Sequence, residues 1–147
     1  MKISFRCLVW FCVAFIAVAA RAADDLRSLS GTWKPTQAEL GGAPMPPPVL
    51  KAITLKMDGA NYEVVVITEK GASSDKGTIA IDADTKPKSM TVVGVEGPNA
   101  GKTFPAIYEL DGDTLRICYE LAGKDRPKEF KTAPGTMLYL VTYERAK

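Results

Sequence analysis

The stretch Thr103 to Leu121, TFPAIYELDGDTLRICYEL, decides the fold. Asp111-Gly112 is a strong two-residue hairpin signal, and apolar and polar residues alternate away from it in both directions. With Asp111 and Gly112 as the loop, Leu110 faces Asp113, Tyr108 faces Leu115, Ala106 faces Ile117 and Phe104 faces Tyr119. One face is then almost wholly apolar. The other carries Thr103, Glu109, Thr114, Arg116 and Glu120, interrupted by Pro105, Ile107 and Cys118. A one-residue slip would turn every apolar side chain to the wrong face, so turn chemistry and alternation together specify a half-buried antiparallel hairpin.

Ile53 to Met57 and Tyr62 to Ile67 make a second hairpin around Asp58-Gly59-Ala60-Asn61, pairing Met57 with Tyr62, Leu55 with Val64 and Ile53 with Val66. Val64 to Ile67 is continuously apolar, which predicts cover on both faces for part of that strand. Thr78 to Asp82 and Ser89 to Val95 form a third pair across the polar loop Ala83 to Lys88. A first strand opens at Gly31-Thr32-Trp33-Lys34 and runs to Glu39; a last one spans Met137 to Tyr143, with Arg145 at its end. Gly41 to Pro48 reads as an extended, polyproline-like connector, because Pro cannot donate to a ladder. Ala23 to Ser30 reads as a short helical turn or a polar lead-in. Seven to nine short antiparallel strands in one domain fit an up-and-down barrel or a sandwich.

The first 22 residues have a different character. Lys2 and Arg6 precede an apolar run from Leu8 to Ala20, and Ala17-Val18-Ala19 and Ala20-Arg21-Ala22 offer small-residue cleavage patterns. The run is shorter than the roughly 20 residues that span a bilayer comfortably. Residues 1–22 are therefore expected to be a signal peptide, residues 23–147 an exported domain without a membrane span. Of the 147 residues, 46% are apolar and 24% charged, an ordinary globular balance. Lys2, Arg6 and Arg21 belong to the leader; without them 16 of the 19 basic residues stand against 17 acidic ones, a net charge near −1. That leaves no basic stripe for nucleic acid.

Histidine is absent, which excludes Ser-His-Asp and Cys-His catalysis and any histidine-held zinc or haem. Cys118 is the one cysteine beyond the leader, has no base beside it, and reads as a small buried residue. Gly97-Pro98-Asn99-Ala100-Gly101-Lys102-Thr103 imitates a phosphate loop but has three residues between its glycines and runs into a strand, so it reads as a hairpin connection. The carboxylates of Asp82-Ala83-Asp84 and Asp111-Gly112-Asp113 fit turns, with Lys86 where a calcium loop needs a ligand. Glu109 and Glu120 are expected on a solvated face near Arg116 and Lys102. No metal and no cofactor is expected.

Gly31-Thr32-Trp33 and Tyr143-Glu144-Arg145 resemble the lipocalin arrangement, in which a Gly-x-Trp on the first strand packs against a basic residue of the last. Trp33 and Arg145 would then be a barrel-closing cation–π pair. Leu29-x-Gly31-x-Trp33, Ile107-Tyr108-x-Leu110-x-Gly112-Asp113-x-Leu115-x-x-Cys118 and Arg126-Pro127-x-x-Phe130 together resemble an uncharacterised, lipocalin-like domain family expanded in planctomycete bacteria, whose members are often small exported proteins. The resemblance implies an all-β, lipocalin-like antiparallel up-and-down barrel of about eight strands, and brings no catalytic residues with it.

Three function classes follow. The first is a non-enzymatic extracytoplasmic binding module for a small apolar or amphipathic ligand, with Phe104, Tyr108, Tyr119 and Arg126 as pocket residues and a cavity of several hundred Å³ opening beside Met45 to Pro48. The second is a filled barrel that engages an envelope protein through an edge or the Pro-rich loop. The third, behind both, is a carboxylate hydrolase. For Arg126 the competing reading is that it pins the long connection to carbonyls or to Glu129.

Overall fold

The computed structural model describes residues 19–147, so the expected positive n-region and most of the apolar leader lie outside the described residues. A helix, α1 (residues 19–29), leads into nine strands. These are β1 (Gly31–Leu40), β2 (Ala43–Pro44), β3 (Ile53–Asp58), β4 (Asn61–Thr68), β5 (Gly71–Asp82), β6 (Lys88–Glu96), β7 (Thr103–Asp111), β8 (Thr114–Glu120) and β9 (Leu138–Arg145). A six-residue helix, α2 (Pro47–Ala52), sits between β2 and β3. Each long strand pairs antiparallel with the next, and β9 pairs back onto β1, closing an eight-stranded up-and-down barrel; β2 is a two-residue appendage on β1.

The second hairpin has the predicted register, Met57 against Tyr62, Leu55 against Val64 and Ile53 against Val66. The central hairpin has the predicted faces but a different turn. Leu110 pairs with Leu115, Tyr108 with Ile117 and Ala106 with Tyr119, so Gly112-Asp113 is the loop. The positive φ falls on Gly112 (+58°), the first loop residue, where a turn that needs glycine at that position places it. Asp113 is held there by β9, since its carbonyl accepts from the Arg145 N–H at 2.8 Å and its carboxylate from Arg145 Nε at 3.0 Å. The slip is two residues, so every side chain keeps its face.

Gly41 to Pro48 is not an extended connector throughout. After β2 the chain enters α2 with prolines in its first turn, where a missing N–H costs nothing and a fixed φ suits the helix. Beyond Trp33, β1 and β3 no longer pair, and α2 lies beside that gap with Leu50 buried in the core. Ile107 and Cys118 point outward, yet both are buried, because the connection from Leu121 to Met137 folds back over them. Cys118 Sγ lies 3.8 Å from the Lys131 carbonyl, and Arg116 stacks 4.3 Å over the Phe130 ring.

One end of the barrel is sealed by α1. Leu29 is fully buried, and its carbonyl accepts from Trp33 Nε1 at 2.9 Å. Asp25 accepts from Lys88 Nζ at 2.8 Å and from the Tyr108 hydroxyl at 2.6 Å. Arg145 lies 4.2 Å over the Trp33 ring and donates to the Ser28 and Ser30 carbonyls at 2.8 and 2.7 Å. No described helix is long and apolar enough to cross a membrane.

Candidate ligand-binding cavity

The other end of the barrel is open. Inward residues of β3 to β6 become smaller or less crowded toward it: Leu55, Val64, Val66, Ile79 and Val92 surround a cavity of about 480 Å³, with Phe104 closing one side. Its size lies within the range of small-molecule sites. The facing wall is aromatic, built from Tyr119 on β8 and from Tyr139 and Tyr143 on β9. Tyr119 and Tyr139 stack with ring centroids 5.7 Å apart and planes at 19°. Ser73, Asn99 and the exposed Lys102 stand at the mouth.

The cavity's carboxylate, Asp75, is already engaged. It accepts from the Tyr62 hydroxyl at 3.2 Å and from the Asn99 N–H and Nδ2, each at 3.0 Å. It thereby ties the loop after β6, which carries Pro98 and Asn99 into the lining, to β5. Burial, with the nearby Asp75 charge and its hydrogen bond, pushes the Tyr62 phenol up to about 12. Burial raises Tyr119 and Tyr143 well above the ordinary phenol range, and burial alone pushes Tyr139 up to about 12. All four line the cavity as neutral phenols at ordinary pH.

Of the four pocket residues expected from sequence, Phe104 and Tyr119 line the cavity. Tyr108 does not. It points inward as alternation requires, but at the sealed end, where its ring is buried and its hydroxyl is taken by Asp25. Arg126 does not either. Its guanidinium donates to the carbonyls of Met90 and Ala106, the latter at 2.7 Å, and to Thr91 Oγ1 at 2.9 Å, so it fastens the β8–β9 connection to a cross-strand pair. Glu109 pairs with Arg116 at 3.0 Å, as its face suggests. Glu120 departs from expectation: it is buried, and it accepts from the Ala122 and Lys124 N–H groups, capping the turn that follows β8. Cys118 is buried and unpaired, and burial pushes its thiol up, away from nucleophilic use. Sequence reasoning did not assign Asp75, Asn99 and Lys102 to the lining; the polar run GASSDKG and the mimic of a phosphate loop gave no hint that they flank one mouth.

No protein-family model and no curated protein matches this sequence. Among solved structures, the chain is similar to an uncharacterised protein from Bacteroides eggerthii, with 10% sequence identity and a TM-score of 0.50, covering 80% of this chain and 98% of that one. At that identity the likeness speaks for the fold alone.

Proposed function

We propose that this chain is an exported, non-enzymatic binding module that holds a small apolar or amphipathic molecule inside its barrel. The observation that carries the reading is the 480 Å³ cavity, open at one end and walled by aliphatic and aromatic side chains. Removing such surface from water contributes about 25 cal/mol per Å² to the bound state. The polar chemistry of the lining supports holding rather than turnover: Asp75 already accepts three hydrogen bonds, and the phenols are neutral. The leader pattern of Lys2, Arg6 and Leu8 to Ala20 supports an extracytoplasmic location. The exposed Leu40, Val49, Ile67 and Met137 lie on the elements around the open end and favour, as a second reading, an envelope protein seated there.

Titration with N-phenyl-naphthylamine, whose fluorescence rises in apolar surroundings, tests the carrier. Wild type is expected to bind it saturably, and Val64→Trp, which fills the cavity, is expected to lose most of the binding while unfolding at a similar temperature. Equal binding by both proteins would place the dye elsewhere and sink the carrier reading. Co-purification of a stoichiometric envelope protein with a dye-negative wild type would favour the second reading.

A further inference from the structure

The chain has five tyrosines, and their hydroxyls are not equivalent. Tyr108 donates to Asp25 and Tyr62 to Asp75. The Tyr119 and Tyr143 phenols stand close enough to influence one another. Tyr139 has no hydrogen-bond partner among the described residues, although it lines the cavity and stacks on Tyr119. The Tyr139 O–H therefore stands undonated on the aromatic wall. Asp75 is engaged by three other donors, and Ser73 and Lys102 add further donors at the mouth.

Water can serve such groups. An occupant that displaces this water must supply an acceptor or leave a buried phenol unpaired. Sites built this way reject analogues that lack the matching polar atom. An anionic end group would instead seek Lys102 in the solvent-exposed mouth and leave the aromatic wall unserved. Resting on the carrier reading, we infer that the occupant is a lipophile with a carbonyl, ester or ether oxygen on its buried body, hydrogen-bonded by Tyr139 on the aromatic wall.

Three eleven-carbon competitors separate the alternatives in displacement of N-phenyl-naphthylamine: undecane, undecanoic acid and methyl decanoate. Methyl decanoate is expected to compete best. Tyr139→Phe, which keeps the stacked ring and removes only the hydroxyl, is expected to weaken methyl decanoate about three- to tenfold more than it weakens undecane. Equal effects on undecane and the ester would overturn the inference while the carrier stands. So would preference for undecanoic acid that Lys102→Gln abolishes, which assigns recognition to a charged end. A wild type that binds no dye defeats the carrier reading and this inference with it.

Discussion

Arg145 explains why residue 31 is glycine. Gly31 has a φ of +138°, and a Cβ there would stand 2.7 Å from an Arg145 guanidinium nitrogen. That guanidinium covers the Trp33 ring and ties Ser28, Ser30 and Asp113 together, so one side chain links α1, β1 and the β7–β8 turn. Gly31→Ala should cost about 3 kcal/mol, read as a lower midpoint in chemical denaturation, because it meets backbone strain and the displaced cation together. Asp25 works on the neighbouring side. Burial opposes its charge, but hydrogen bonds from Lys88 and Tyr108 outweigh that and hold its carboxyl below the ordinary 3.8. A depressed folded value stabilises above the unfolded one and is lost as pH falls through the folded one. Wild type should therefore lose stability as the pH drops below about 3.8, whereas Asp25→Asn should be about 1–2 kcal/mol less stable at neutral pH with a flatter acid limb. Chemical denaturation across that pH range reads both. The pairing of Trp33 with Arg145 was legible through the resemblance of Gly31-Thr32-Trp33 and Tyr143-Glu144-Arg145 to the lipocalin arrangement. Tyr108 lies at the sealed end and not in the cavity; alternation tells which face a side chain takes and says nothing of its height along the barrel axis.

At the level of elements, apolar matching fixed the β3–β4 register and the faces of β7 and β8, since each buried face must align with its partner. The turn between β7 and β8 was harder to read because Asp-Gly and Gly-Asp both occur in Asp111-Gly112-Asp113; β9, remote in sequence, selects the second. The first half of β5, Gly71 to Lys76, carries no alternation because it is mostly exposed, and α2 is too short and too proline-rich to show a helical period. The β8–β9 connection was visible only as the motif Arg126-Pro127-x-x-Phe130. Its residues are structural: Arg126 fastens it to β6 and β7, Pro127 is buried, and Phe130 lies under Arg116. Arg126→Ala should cost about 2–4 kcal/mol by stranding two carbonyls, and amide exchange should quicken across residues 122–137. Dye affinity should stay within about twofold, since Arg126 is outside the cavity lining; a large selective loss of binding without faster exchange would return it to the pocket.

Across the whole molecule the barrel is polar in architecture, sealed at one end and open at the other, and the seal is the part closest to the expected cleavage site. A chain beginning at Ala23 loses Arg21, whose 2.8 Å ion pair with Asp84 is largely solvated at the arginine, and such pairs contribute about 0–1 kcal/mol. It keeps Asp25, Leu26 and Leu29, the residues by which α1 holds the barrel. Cleavage after Ala22 should therefore leave thermal stability nearly unchanged. A chain beginning at Gly31 loses the fully buried Leu29, the partners of Tyr108 and Lys88, and two carbonyls that Arg145 bonds. That combination opens a cavity under Trp33 and strands the buried Tyr108 hydroxyl and Trp33 Nε1, for a loss of about 4 kcal/mol or more. Because Trp33 is the one tryptophan in either shortened chain, its emission reports on the seal directly. It should shift red in the chain starting at Gly31 and stay unshifted in the one starting at Ala23. Binding at the far end separates seal from site: if the shorter chain still folds at low temperature, it should take up the dye with nearly wild-type affinity, because no cavity-lining residue belongs to α1.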